Sequence, residues 1–203
     1  MPYLLKVHRF VPGEFFWEDV WPRDKQPENY ARVGHDHGNA PLIKTPIPYK
    51  QQKGKLLPGG VLPDLMPGRW SGDLLVSHRV KKLIDDSDIV QHQFLPVDLT
   101  LKDKSTVTGQ YFLFVAGDLT DGIVPEASNK IVPQYFDGEL GYYSCEGDPE
   151  IAWNEDSVRG RQIWVNKYLP RKIFISDSLH NELETLKLKA FTALPSAVVL
   201  QQS

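Results

Sequence analysis

Two stretches of the chain share one arrangement of apolar and polar positions. Asp73 to Val97 (DLLVSHRVKKLI…QFLPV) and Lys172 to Pro195 (KIFISDSLHNELETLKLKAFTALP) each hold an apolar run that stops at a serine, Ser77 or Ser176. Beyond the serine the apolar spacing becomes helical. Val80, Leu83 and Ile84 fall at i, i+3 and i+4, and Leu179, Leu183 and Leu186 at i, i+4 and i+7. Each stretch closes on a phenylalanine and a Leu-Pro pair. The pattern predicts two similar strand-helix-strand units. A serine or aspartate at such a junction accepts from the free N–H groups of the first helical turn, so Ser77, and Ser176 or Asp177, are the expected N-caps. In the second helix Glu182 and Glu184 read as early and Lys187 and Lys189 as late, in the sense the helix dipole favours.

Between these units Ser105 to Leu119 (STVTGQYFLFVAGDL) is dense in β-branched and aromatic residues and predicts a strand with a bend at Gly109. Gly160 to Ser176 predicts a hairpin turning at Leu169-Pro170. The expected class is α+β, with a mixed or antiparallel sheet and helices on one face.

The first 68 residues read differently, with ten of the sixteen prolines and seven of the fifteen glycines. Proline fixes φ and removes a donor, so long helices and central strands are not expected there. Phe10, Phe15, Phe16, Trp17, Trp21 and Tyr30 still need burial. These features predict a Pro/Gly-rich irregular N-terminal arm over residues 1–69, packed on an α+β body over residues 70–203. At 203 residues with 41% apolar and 24% charged side chains, the chain is long enough to bury a core. The single cysteine, Cys145, excludes an internal disulfide framework and a multi-cysteine zinc site. With no signal-type N-terminus and no 18-residue apolar run, the expected address is the cytoplasm and no membrane partner is expected.

Net charge is −3, which argues against general nucleic-acid binding. Its distribution says more. Asp118 to Asp156 holds ten acidic residues against Lys130 alone, whereas Ser157 to Lys189 holds seven basic residues against three acidic. The acidic segment also contains Tyr135, Phe136, Tyr142, Tyr143 and Trp153. Aromatic rings among carboxylates suit a surface that docks on a basic partner, the rings supplying contact area and the carboxylates steering the encounter. The expected partner-binding residues are Asp118, Asp121, Tyr135, Asp137, Glu139, Tyr142, Tyr143, Glu146 and Asp148.

No catalytic constellation stands out. A nucleophile elbow wants G-x-S-x-G, whereas Ser176 is flanked by Phe174, Ile175, Asp177 and Ser178, and Ser77-His78 has no acidic residue beside it. His35, Asp36 and His37 in GHDHG could begin a metal site, but no further ligand is linked to them by spacing; a loop is expected. Arg159 and Arg161 could fork a phosphate or carboxylate, and read better as offsetting the acidic stretch before them. Asp85 to Asp88 (DDSD) lacks the ligand ladder of a calcium loop and reads as a polar helix end. No catalytic residue, metal or cofactor is therefore expected. The alternatives are a small metal-dependent hydrolase using His35 and His37, and a secretion-system adaptor.

LLVSHRVKKLI with QFLPV, then YFLFVAGDLTDGIVPEAS, GRQIWV and IFISDSLHNELETLKLKAFTAL together resemble the cytoplasmic immunity proteins of bacterial polymorphic toxin systems. The group is the eleventh-numbered immunity family, formerly a domain of unknown function. The resemblance spans about residues 70–195. It implies a strand and a helix opening on serine, and an aspartate-bearing strand matched at Asp118 or Asp121. It also implies a final strand-helix unit with glycine before an aromatic, where this chain has Ala190 before Phe191. The function it implies is binding and neutralising a cognate toxin domain encoded beside it, without catalysis or cofactor. The oligomeric state is left open.

Overall fold

Several strands hold near-continuous apolar runs that are buried at successive positions, as at Leu74–Val76, Ile163–Val165 and Ile173–Ile175, which is the signature of sheets buried on both faces. The computed structural model describes residues 1–7, 16–21, 26, 37–38, 45–53, 56, 61–70, 72–188, 191–195 and 197–200, and is mostly sheet with a few helices. The chain is α+β with mixed and antiparallel sheets, and the sheets number three among the described residues.

The largest sheet is assembled from β2 (Phe16–Asp19), β3 (Ile47–Lys53), β4 (Leu65–Pro67), β5 (Leu74–Ser77), β6 (Gln93–Thr100) and β7 (Thr106–Val115), in the order β2-β3-β6-β7-β5-β4. Only β3 and β6 run parallel; the other neighbours are antiparallel. A second, antiparallel sheet takes β1 (Tyr3–Val7), β10 (Ile163–Asn166), β11 (Leu169–Ile175) and β12 (Phe191–Leu194) in the order β10-β11-β1-β12. The third joins β8 (Asn129–Phe136), β9 (Glu139–Asn154) and β13 (Ala197–Leu200), with β9 in the middle. Helix α1 (His78–Ser87) follows β5, the single turn α2 (Glu155–Val158) follows β9, and α3 (Asp177–Thr185) follows β11.

Side-chain alternation distributes each strand between two cores. In the six-stranded sheet Leu75, Val97 and Leu113 face a first core that also holds Trp17, Ile47 and Tyr49. Val76 and Phe114 face a second core with Val80 and Ile84 of α1, Leu179 and Leu183 of α3, and Ile163, Val165, Ile173 and Ile175 of the four-stranded sheet. The opposite face of that sheet puts Leu4, Trp164, Leu169 and Phe174 into a third core with Tyr143, Ile151, Trp153 and Val158. The Trp153 ring stands edge-on to Trp164 at 5.6 Å and to Phe174 at 4.9 Å.

Both capping serines do double work. Ser77 accepts from Val80 N–H (3.3 Å) and donates to Asp64 (2.6 Å), while Ser176 accepts from Leu179 N–H (2.9 Å) and donates to Gln162 (2.5 Å). The backbone N–H groups of the two serines reach the carbonyls of the same two residues, at 2.8 and 2.9 Å. Helix α3 is shorter than its apolar spacing suggests. Lys187 adopts φ +53, its N–H donates to Glu184 and that of Leu188 to Leu183, which closes the helix at Leu186. Asp177 is thus the acid of the first turn, Glu182 and Glu184 lie in the second half, and Lys187 falls beyond the end. Lys189 lies outside the described residues.

The expectation against central strands in the first 68 residues does not hold. β1 lies between β11 and β12, and β3 between β2 and β6. β1 is free of proline, and a strand supplied by residues more than 160 positions away gives no local signal. The Tyr3 hydroxyl donates to Asp177 (3.0 Å) and its ring stacks on His180 at 4.2 Å, which docks β1 on α3. The β10–β11 hairpin turns at Lys167-Tyr168, earlier than Leu169-Pro170, because the Asn166 side chain accepts from Tyr168 N–H (2.8 Å) and folds the chain there. The bend at Gly109 is present. Its φ is +67, and the pairing moves from Val97 opposite Tyr111 to Leu99 opposite Val107 across it.

Asp88 ties the second core together from the side. Its carboxylate, essentially buried, accepts from the N–H groups of Val90 (3.0 Å), Gln162 (2.8 Å) and Ile163 (2.9 Å), and His92 Nε2 lies 3.1 Å away. The exit of α1 is thereby fixed to the start of β10. Burial opposes the charge, but the contact with His92 and the three N–H groups outweigh it and hold the carboxyl below its ordinary range.

Two predictions follow from these caps and this clamp. Ser176→Ala should lower unfolding stability by about 1 kcal/mol in a urea titration, and Ser77→Ala by more, since the acceptor it strands is the Asp64 carboxylate and not a neutral amide oxygen as at Gln162. Asp88→Asn should cost about 3 kcal/mol at neutral pH. Because the folded pKa is depressed, this stabilisation is present above the ordinary carboxylate range and is lost as pH falls through the lowered value. The gap between wild type and Asp88→Asn should therefore narrow in unfolding curves below about pH 4.

Candidate partner-binding surface

The acidic segment leaves the end of β7 as a loop, makes a 3-10 turn at Pro125–Ala127, and becomes the β8–β9 hairpin and α2. The loop is stitched down on both sides. Thr120 exchanges backbone hydrogen bonds with Val165 (2.9 Å) and Lys167 (3.0 Å), and Gly122 and Val124 pair with Asn154 and Ala152 (2.8 and 2.9 Å). Neither Asp118 nor Asp121 lies in a strand, since β7 ends at Val115. Both are exposed and both are engaged within the chain. Arg161 forks Asp118 through two guanidinium nitrogens at 2.5 and 2.9 Å and also donates to Ser157 (2.9 Å). Asp121 pairs with Lys167, whose ammonium sits 4.6 Å from the Tyr168 ring centre. That carboxylate, with Tyr168, raises the Lys167 pKa. Arg159 pairs with Asp156 at 2.9 Å and Glu155 at 3.7 Å. Both arginines serve the acidic stretch.

The hairpin has an inner and an outer side. Tyr143 is buried in the third core, donates its N–H to the Tyr168 carbonyl (2.9 Å) and meets the Tyr168 ring edge-on at 6.0 Å. Burial pushes its phenol pKa up, with Tyr135 and Asp121 nearby adding to the rise. Ile131, Leu140 and Cys145 are half-buried beside it. Val132, Phe136 and Tyr142 stand on the outer face and Tyr135, opposite Leu140, on the inner face beyond the edge of the core; they are exposed by 41%, 61%, 44% and 63%, too much for core residues and all on one hairpin.

The tip is built by two local devices. Asp137 and Gly138 both have positive φ, +52 and +85, the combination that a two-residue hairpin turn matching strand twist requires. Gly141 is an extra residue on β9, since Gln134 faces Tyr142 while Tyr135 faces Leu140. A Cβ at Gly141 would lie 2.3 Å from Phe136 Cδ2, so the Phe136 ring rests on bare backbone there. The ring is 6.0 Å from that of Tyr142. Among the described residues no basic side chain reaches Asp137, Glu139 or Glu146. Asp148 instead pairs with Lys6 of β1, which holds its carboxyl below the usual range. Glu150 meets Lys130 at 3.7 Å and Asn129 at 3.2 Å.

Of the nine residues expected from the sequence, the fold gathers Tyr135, Asp137, Glu139 and Tyr142 at the hairpin tip, with Glu146 farther along β9. It places Asp118 and Asp121 on the stitched loop, Asp148 against β1, and Tyr143 in the core. Phe136 and Val132 join the tip although they were not among the nine. The signal for them was Asp137-Gly138, a strong hairpin-turn pair flanked by aromatics.

Several of the remaining candidate residues have partners within the fold. His37 is buried and its Nδ1 accepts from Ala116 N–H (3.0 Å), while Gly38 N–H donates to the Ala116 carbonyl (2.7 Å). His35 and Asp36 lie outside the described residues. Asp85 and Asp86 pair with Lys81 and Lys82 along α1, and Asp88 is the clamp already described. Among the described residues no three metal-ligating side chains cluster, and no helix is long and apolar enough to cross a membrane.

No curated protein matches the chain. A family model described as "Immunity protein family (Imm11)" matches residues 18–195, which takes in most of the proline-rich N-terminal segment as well as the body. The match covers far more than half of the sequence, and the chain belongs to the Imm11 immunity protein family.

Proposed function

We propose that this chain binds a cognate protein toxin in the cytoplasm and neutralises it as a stoichiometric inhibitor, without catalysis or cofactor. Membership of an immunity family supports a protein toxin as partner. The observation that carries the surface is the coincidence on one hairpin of exposed rings and carboxylates that have no basic partner among the described residues. Elsewhere in the acidic segment Asp118, Asp121 and Asp148 already have basic partners, so their charge is largely spent inside the molecule. The nine expected residues remain the proposed contact region, with Asp137, Glu139 and Glu146 as its steering charges. A nucleic-acid or membrane partner is disfavoured by the same acidity. The metal-hydrolase reading loses support from His37, whose Nδ1 is occupied by a backbone donor.

β4-β5-α1-β6 and β10-β11-α3-β12 read as two copies of one unit. In each, a hairpin leads into a serine-capped helix, and the strand after the helix is separated from the hairpin by one inserted strand, β7 or β1. The arm over residues 1–69 then acts as an accessory to the body over 70–203, lending β1 to the second unit, β4 to the first, and β2 and β3 to the edge of the six-stranded sheet.

Charge steering fixes the expected kinetics. The triple variant Asp137→Lys, Glu139→Lys, Glu146→Lys should slow association with the toxin domain by about tenfold or more at low salt, with most of its salt dependence lost. Stopped-flow association and survival of cells co-producing the active toxin are the readouts; unchanged association would place the interface elsewhere.

A further inference from the structure

We infer that the tip of the β8–β9 hairpin enters a basic cleft on the toxin, with Phe136 as its central anchor, Tyr142 beside it on the outer face and Tyr135 on the opposite face of the same tip. The inference rests on the immunity reading. It goes beyond it by naming the inserting element and the chemistry of what receives it.

Three features single out the tip. Its rings are fixed in place before any partner arrives: Phe136 lies on the Gly141 backbone and beside Tyr142, and the turn beneath them is set by Asp137 and Gly138. An aromatic that is exposed yet already held in one orientation loses little freedom on binding, which is the property of an anchor. The hairpin is also held firmly at its base, because Tyr143 points inward, pairs with Tyr168 and packs in the third core. Finally the rings are bracketed by Asp137 and Glu139, neither of which has a basic partner among the described residues.

The charge decides the occupant. A second copy meeting this tip across a twofold axis would set Asp137 and Glu139 against the same carboxylates, which repel. An anionic lipid surface is opposed by the same charges. A protein cleft lined by lysine or arginine, of the kind that otherwise receives phosphate groups, satisfies the carboxylates and stacks its guanidinium groups on the rings.

The test uses the full chain and, as probe, the purified, catalytically inactivated toxin domain encoded beside it, with affinities read by calorimetry. Phe136→Ala should weaken binding by at least ~100-fold and Tyr142→Ala by ~10-fold. Gly141→Ala, which leaves every ring in the sequence but displaces Phe136 from its seat, should weaken binding by ~10-fold. Trp70→Ala, an exposed aromatic elsewhere on the molecule, should change it less than ~3-fold. Thermal unfolding checks that each variant is folded. If wild type binds tightly and all three tip variants bind within ~3-fold of it, the tip is not the anchor, although the immunity reading stands. If sedimentation shows a wild-type dimer that Phe136→Ala converts to monomer, the occupant is a second copy and the inference is overturned. If wild type neither binds the toxin domain nor protects cells from it, the immunity reading itself fails and the inference falls with it.

Discussion

Burial of two sheets on both faces is the constraint on which the rest of this structure depends. The six-stranded and four-stranded sheets share the second core, and each has a further core behind it, so β5, β10, the Tyr111–Val115 end of β7 and Ile173–Ile175 of β11 are buried on both faces. A stack of this kind leaves few places where polar groups can be tolerated inside. Asp88 is the main one near the second core, and it is tolerated because three N–H groups and a histidine surround its carboxylate. It specifies how the end of α1 meets the start of β10, and hence how the two sheets sit across their common core.

The third sheet escapes this constraint on its outer face. β9 contributes Tyr143, Ile151 and Trp153 to the third core, and among the described residues the long hairpin it forms with β8 has no layer on its other side. The rings of Phe136 and Tyr142 on that outer side are exposed, with no described residue covering them, and the acidic residues between them keep the surface hydrated. Function in an inhibitor of this kind requires no reactive group. It requires a rigid, outward-facing shape of defined charge, which is the role proposed for the outer face of the last sheet.

The sequence made some levels of this organisation legible and hid others. The helices α1 and α3 and their serine caps were readable because cap chemistry and helical spacing are local. The β7 strand with its bend at Gly109 was readable for the same reason. The interior position of β1 was not, since its neighbours β11 and β12 come from the far end of the chain. The acidic aromatic segment was visible as composition, but its division into bound and free carboxylates was not. Asp118 and Asp121 are engaged by Arg161 and Lys167, more than forty residues on, and no spacing rule connects them. Tyr142 and Tyr143 are adjacent, and which of them faces outward depends on the extra residue at Gly141, a backbone feature with no compositional signature.

Hydrogen-deuterium exchange of the full chain, free and saturated with its toxin domain, tests most directly whether the hairpin tip is the contact. The account predicts slowed exchange across residues 131–143 in the complex, strongest at the turn. Unchanged exchange in 131–143, with slowing confined to another face of the molecule, would contradict it.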